Sequence, residues 1–369
     1  MAVKNVCCWD LEGPISVLDF AAELGKLLSK NSNLGLQKYN TREFYKMLSE
    51  YDDYLTDIPG VKEELNILDY QPGDTLRLIA PLYISSFSDN DLIRIAKQNL
   101  GLLPGCKDLI EYLQKEWDIY IISTSYSHFA NTIAEVLKIP NDHVYCTELN
   151  IKEAYETFNN IKNEVKILVY DIFQNFLEHN KKLDLIIDDL NRFFWKNKGS
   201  DYIKAMNQVE VRGGKRKELA VETISKQTQI PISDFVVLGD SITDINMLQR
   251  LKEEGGIAIS FNGNRFTVSR ATIAITATNN LGTLPIFERK DDIDTFLESW
   301  EFLYNEFRNN PQNIPDDLIS KEIKNFFIKY QFTPEIENLK NKTMSELDLI
   351  IKKQVFMRKK VRGWSGNLG

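Results

Sequence analysis

Four short segments, met in order along the chain, carry the residue types that phosphoryl chemistry uses. Asp10 and Glu12 lie in Trp9-Asp10-Leu11-Glu12-Gly13, and Ser123 follows Ile119-Tyr120-Ile121-Ile122. Lys217 closes the basic triplet Lys215-Arg216-Lys217, and Gly239-Asp240 is followed four residues on by Asp244. A carboxylate such as Asp10 attacks phosphorus when a divalent cation neutralises the phosphate oxygens. Glu12, two residues on, faces the same way if strand geometry persists, placed to protonate the leaving oxygen and later to deprotonate water. The Ser123 hydroxyl, with nearby backbone N–H groups, can hold a phosphoryl oxygen through neutral donors. Lys217 can offset charge on nucleophile and phosphoryl group alike, and Asp240 with Asp244 can complete an oxygen shell for Mg2+. Singly, each has a blander explanation: surface acids at a strand end, hydroxyls capping a helix, a solvated lysine. Their joint occurrence favours one site.

The elements around them say how they could meet. Val6–Trp9 leads into Asp10, Ile119–Ile122 into Ser123, and Phe235–Leu238 into Gly239-Asp240, so three segments end apolar runs of strand type. Strands separated by helical stretches predict a parallel sheet, which gathers ligands at the carboxyl ends of its strands. The strands ending at Ser123 and Asp240 should flank the Asp10 strand.

Composition narrows the function classes. A chain of 369 residues exceeds one ordinary domain, and 43% hydrophobic residues can bury a sizeable core. A net charge of -8 argues against general nucleic-acid binding. The four cysteines, Cys7, Cys8, Cys106 and Cys146, lack metal-type spacing and read as buried, reduced thiols of a cytoplasmic protein. No apolar run approaches the ~18 residues of a membrane span, and no signal peptide opens the chain.

The first strand, about 4–12, is followed by some ninety helical residues, with Val17, Leu18, Ala21, Ala22, Leu24, Leu27 and Leu28 at helical spacing. Further helices are predicted at about 158–179, 183–196 and 215–228, and short strands near 142–147, 256–261 and 271–277. The last eighty or so residues read as helices over 291–308, 315–331 and 335–360. After Asp348 no acid remains, while Lys352, Lys353, Arg358, Lys359, Lys360 and Arg362 accumulate. Such a run reads as a solvated helix face ending in a frayed tail. The sharper alternative is a docking surface, so the C-terminal helices are where a protein partner would bind.

With these motifs in hand, the chain resembles the haloacid dehalogenase superfamily over about residues 4–150 and 210–265. Leu103-Pro104-Gly105 and Ile121-Ile122-Ser123-Thr124-Ser125-Tyr126-Ser127-His128-Phe129-Ala130 are similar to the phosphoserine-phosphatase-like branch. The resemblance implies an α/β fold: a Rossmann-like parallel sheet core with an inserted helical cap and a helical C-terminal extension. The core would comprise 1–14 and 101–285, with a helical insertion at about 151–205, the cap 15–100 and the extension 286–369. It implies that Asp10 is nucleophile and metal ligand. Glu12 would be acid/base and give a backbone carbonyl to Mg2+, and Ser123 and Lys217 would bind phosphate. Asp240 would ligate Mg2+, with Asp244 doing so directly or through water. Thr124, Ser125 and Asp19 would face the substrate, Asp19 where the branch has an acidic residue for a substrate amine, although a helix-surface aspartate has the same spacing.

Three departures stand out. Glu12 replaces the commoner Asp, Thr243 replaces the branch's Asn, and Thr124-Ser125 replace paired glycines, which puts serine phosphate in doubt as substrate. Asp-Leu-Glu-Gly-Pro-Ile-Ser, Gly-Asp-Ser-Ile-Thr-Asp-Ile-Asn-Met and Ile259-Ser260-Phe261-Asn262-Gly263-Asn264 also resemble an archaeal family labelled subunit R of the methanogen energy-converting hydrogenase A. That label implies a hydrogenase association, although the cysteines lack cluster spacing. The expectation is a Mg2+-dependent hydrolase of a small phosphorylated metabolite. The alternative is a regulatory protein that holds phosphate or Mg2+ without turnover.

Overall fold

The computed structural model describes residues 4–30, 36–37, 39–158 and 160–367. Seven strands form one sheet: β1 (Asn5–Trp9), β2 (Trp117–Tyr126), β3 (Val144–Thr147), β4 (Val236–Gly239), β5 (Ile257–Phe261), β6 (Ile273–Thr276) and β7 (Glu335–Asn338). Their order is β3-β2-β1-β4-β5-β6-β7, parallel except for the last pair. β1 thus lies between the Ser123 and Asp240 strands, as expected.

Both faces of the parallel part of this sheet are covered, so β1, β4 and β6 are apolar almost without interruption. Alternate residues divide between two cores: Cys7, Trp9, Ile119, Ile121 and Leu238 on one face, Val6, Cys8, Tyr120, Ile122 and Val237 on the other. Trp9 stacks on Phe287 at 5.8 Å on the first face, while Val221, Ile224, Leu248 and Ile350 fill the second. All four cysteines are free and buried; burial pushes the Cys7 thiol up to about 12 and Cys106 to about 11. No helix among the described residues is long and apolar enough to cross a membrane.

Order alone explains where a site forms. The chain builds β1, β2 and β3 outward in one direction and then returns to place β4 on the other side of β1. The carboxyl ends of β1 and β4 therefore flank a crevice at the switch in winding direction, where such sheets bind ligands. Asp10 and Asp240 are the residues immediately beyond those two ends.

Two helical segments lie over this edge. The chain leaves the core near Val17, whose N–H donates to the Gly101 carbonyl at 2.8 Å, and returns beside it at Leu102, which bridges Ser16. Between them run the helices Phe20–Leu27, Arg42–Asp57, Val61–Leu65, Thr75–Ser86 and Asp89–Gln98. The second segment, 151–207, is also helical, but the continuous helices expected at 158–179 and 183–196 are interrupted by π turns at Leu168–Phe173 and Arg192–Lys196. Position 159 of the first lies outside the described residues. The two segments share one core: Tyr202 donates to the Leu78 carbonyl at 2.6 Å, Tyr51 to Asn191 Oδ1 at 2.6 Å, and Phe44 packs on Phe173 at 4.9 Å.

The C-terminal region differs from expectation in two respects. Residues 335–338 are not helical; they form β7, antiparallel to β6, so the last block extends the sheet. The final helix, Met344–Arg362, is capped by Thr343, whose hydroxyl pairs with Glu346 in a capping box. Its basic run is a solvated face only in part: Lys352, Lys353, Lys359 and Lys360 are exposed, but Arg358 and Arg362 are not. Gln354 and Arg358 are buried at 0% and 3% exposure, and the Arg362 side chain is 5% exposed, because all three point into the crevice edge of the sheet.

Candidate active site

Asp10 is fixed first by backbone. Its N–H donates to the Leu238 carbonyl at 3.0 Å, prolonging the β1–β4 ladder by one residue. The chain then folds into a compact loop in which Ser16 N–H donates to the Leu11 carbonyl at 2.8 Å and Gly13 N–H to the Ser16 carbonyl at 2.7 Å. Gly13 has a φ of +131°, and an added Cβ would stand 2.0 Å from Asp240 Oδ2, so glycine is what lets Asp240 lie against this loop.

Lys217 enters from the first turn of the helix Lys215–Thr228, which begins and ends where the periodicity predicts. Gly214, just before it, donates to the Thr243 carbonyl at 2.9 Å, tying the helix start to the loop after β4. The Lys217 ammonium is fully buried between Asp10 Oδ1 at 2.7 Å and Asp244 Oδ1 at 2.6 Å. Burial alone would lower its pKa; the two carboxylates outweigh that and hold it above the ordinary lysine value. Asp244 Oδ2 accepts the N–H groups of Asp240 and Ser241, both at 2.9 Å, so Asp244 also shapes the Asp240 turn.

Asp10, Asp240 and Asp244 each place one oxygen within 4.8 Å of the others, all buried. Asp240 Oδ1 has no hydrogen-bond partner among the described residues. A buried carboxylate oxygen without a donor, facing two further carboxylates, suits a hard divalent cation such as Mg2+. Asp10 answers to the same crowding: burial, then the charge of Asp244, pushes its carboxyl up to about 7 against the pull of Lys217. A cation among the three would favour its ionised form.

Glu12 has a different environment. Its Oε1 accepts the Phe20 N–H at 2.9 Å, beside Asp19, which caps the same helix by accepting the Ala22 N–H at 2.8 Å. Burial, then the neighbouring Asp19 charge, pushes Glu12 up to about 8, so it holds a proton at neutral pH. Asp19 is thus a buried cap residue lining the cleft, not a helix-surface acid, and its Oδ2 accepts the Tyr45 hydroxyl at 3.2 Å.

The remaining sequence candidates divide. Thr124 lines the cleft with Asp10, Glu12, Asp19 and Asp240. Ser123 does not end its strand, since β2 runs on to Tyr126; it is fully buried, its Oγ accepts the Ser125 N–H at 3.1 Å, and it does not line the cleft. Ser125 is buried too. The cleft encloses about 90 Å3, room for several water-sized groups. The helical layer closes it: a Cβ on Gly73 would meet Thr124 at 2.9 Å and Thr243 at 3.0 Å, so the Pro72-Gly73 turn rests directly on the sheet loops.

Two residues of this site were missed by sequence reasoning. Arg358 and Arg362 both bond Asp240 Oδ2, Arg362 at 2.8 Å, and Arg358 also donates to the Asp240 carbonyl at 3.0 Å. A signal was present: Ile350, Gln354, Arg358 and Arg362 recur at intervals of four, one stripe of a helix. Gln354 anchors that stripe by accepting the Gly263 N–H at 2.6 Å and donating to the Ser260 carbonyl at 3.1 Å.

Comparison with known proteins agrees with this geometry. Residues 104–284 match the family described as haloacid dehalogenase-like hydrolase. A gene product from Archaeoglobus fulgidus superposes with a TM-score of 0.72 at 23% identity, over 99% of each chain, and so shares the fold. A substrate-bound phosphoserine phosphatase covers 76% of this chain and 97% of its own, at a TM-score of 0.46 and 15% identity. A Buchnera aphidicola protein named as a flagellar hook-length control protein homolog is 25% identical over 228 residues, 56% of this chain and 96% of that one. Ser123, Lys217, Asp240 and Asp244 fall inside the matched span, and β1 brings Asp10 beside Lys217 and Asp240. Residues 104–284 thus match a hydrolase family over about half of the chain, and the chain that carries them is an enzyme.

Proposed function

We propose that this enzyme is a Mg2+-dependent phosphomonoester hydrolase that works through an aspartyl-phosphate on Asp10. The observation that carries this reading is the meeting of three carboxylates and one ammonium just beyond the ends of β1 and β4, with Glu12 facing the same cleft. Asp10 lies 2.7 Å from the Lys217 ammonium and beside Asp240 and Asp244, while Glu12 lines the cleft nearer the helical layer, where its Oε1 accepts the Phe20 N–H. A carboxylate held among a fixed cation and metal-binding acids suits a nucleophile, and a second carboxyl facing the same space suits the acid.

Asp10 Oδ attacks phosphorus, and the ester oxygen leaves with the proton of Glu12. Glu12, now a carboxylate beside the Phe20 N–H, takes a proton from water as that water attacks the aspartyl-phosphate, releasing inorganic phosphate and free Asp10. Lys217 offsets charge on Asp10 throughout. Asp10, Asp240 and the Glu12 carbonyl would hold Mg2+, with Asp244 behind them; bound there, the ion neutralises phosphoryl oxygens as charge develops. Ser123, being covered, would contribute through the Ser125 backbone it holds in place. The two helical segments act as a cap that selects small substrates and keeps water out. The substrate would be a small phosphorylated metabolite in the cytoplasm.

A second reading has one observation in its favour: Asp240, the expected metal ligand, is held by two arginines. On it the chain is a regulatory protein that binds phosphate or Mg2+ without turnover, in line with the resemblance to a hydrogenase-associated family. A screen of phosphomonoesters with Mg2+, comparing wild type with Asp10→Asn, separates the two. Hydrolysis by wild type alone is expected; no hydrolysis of any phosphomonoester would leave the second reading.

A further inference from the structure

Arg358 and Arg362 place two guanidinium groups on one carboxylate oxygen, an excess of positive charge over the group that holds it. Both are almost wholly buried and both line the cleft with Asp10 and Glu12. Arg362 ends its helix before Gly363, its Nε lies 3.5 Å from the Val17 carbonyl, and the carboxyl groups of Asp240, Asp19 and Glu12 surround it. It therefore stands at the junction of core and helical layer. The turn after it is clasped to that layer by Arg42, whose guanidinium lies 4.9 Å over the Trp364 ring.

Resting on the phosphatase reading, we propose that Arg358 and Arg362 are exchangeable counter-ions of Asp240. Without a cation they neutralise it. When a divalent cation takes Asp240, they lose that partner and become the donors that bind the oxyanion of the incoming phosphate. The chemistry suits them: guanidinium forks match phosphate oxygens in pairs, stay charged when buried, and are weakly hydrated. The other charged residues lining the cleft are acids, which would repel such an anion, so the C-terminal helix supplies the wall's positive charge. Lys217 has no such freedom, being locked beneath Asp10 and Asp244.

The proposal makes cation and anion binding respond in opposite directions to one substitution. In the full-length protein, Mg2+ alone and then inorganic phosphate at saturating Mg2+ are titrated by calorimetry into wild type and Arg362→Gln. Removing a competitor for Asp240 should tighten Mg2+ several-fold, and losing a charge-assisted donor should weaken phosphate by roughly tenfold or more. A merely structural arginine would weaken both together; that result, or no change in phosphate affinity, overturns the proposal. Should circular dichroism show the Gln variant unfolded, Arg362→Lys keeps the charge and removes the fork. It should bind Mg2+ within about twofold of wild type and phosphate several-fold more weakly, and unchanged phosphate binding would again refute the idea. Opposite shifts without turnover of any phosphomonoester would leave this proposal standing and remove the phosphatase reading. Turnover without those shifts would do the reverse.

Discussion

Lys217 on one hand and the Arg358–Arg362 pair on the other meet different members of one carboxylate cluster, and they are built differently. Lys217 comes from within the core, on a helix that leads into β4, and bridges Asp10 and Asp244 with no exposed surface. Arg358 and Arg362 come from the last helix and converge on Asp240 from the cleft. The first is part of the floor and has one arrangement. The second lines the open space, so it can exchange partners. The contrast teaches that burial of an ion pair does not by itself distinguish scaffold from working part; what each charge faces on its free side does.

The largest effect expected is for Lys217→Met. It leaves two buried carboxylates without their counter-ion, which should cost about 3–5 kcal/mol of stability and reduce turnover to background. Chemical denaturation and steady-state assays check this, and Mg2+ should not restore turnover. Glu12→Gln follows, slowing both half-reactions by about 10²–10⁴-fold, with a smaller loss in the first step on aryl than on alkyl phosphates because a good leaving group needs less protonation. Arg358→Met should lose less, about 1–3 kcal/mol, because Arg362 still pairs with Asp240 while the buried Asp240 carbonyl loses its donor. Here, however, Mg2+ should recover part of the melting temperature, since the ion can replace the lost charge on Asp240; equal rescue of both variants would erase the distinction between floor and wall.

The smallest effect concerns the layer above. Burial pushes Asp52 up to about 7, although the Tyr70 hydroxyl, at 2.6 Å, pulls it down. A carboxyl whose folded pKa exceeds its unfolded value near 4 binds more protons when folded. Its contribution is therefore fully present below about pH 4 and is lost as pH rises toward about 7. Asp52→Asn should flatten that fall by about 1 kcal/mol or more, seen as a shallower pH dependence of denaturation midpoints.

Much of the floor was legible in the sequence because its signals are local. An apolar run followed by Asp10 or Asp240 announces a strand end, and Lys217 sits in a helix whose periodicity marks its own limits. The sheet's order around β1 then followed from the parallel arrangement. What escaped depends on distant partners. Arg358 and Arg362 stand among Lys359 and Lys360, and composition made the run look solvated; only its four-residue stripe, continued from Ile350 and Gln354, separates them from their exposed neighbours. Glu335–Asn338 is short and polar, and becomes a strand because β6 offers an unpaired edge. Nothing in 151–207 announces that it shares a core with 20–98, since that union is made by packing between residues far apart in sequence, such as Phe44 on Phe173 and Tyr51 on Asn191. The polar Thr124 and Ser125 make Ser123 resemble a strand end, yet β2 continues through them.

The most direct test of the central claim is to quench the enzyme with acid during turnover of a labelled phosphomonoester in Mg2+ and map any label on the chain. Phosphate covalently attached to Asp10 is expected, accumulating in Glu12→Gln and absent from Asp10→Asn. Turnover with no labelled protein, together with full activity in Asp10→Asn, would contradict it.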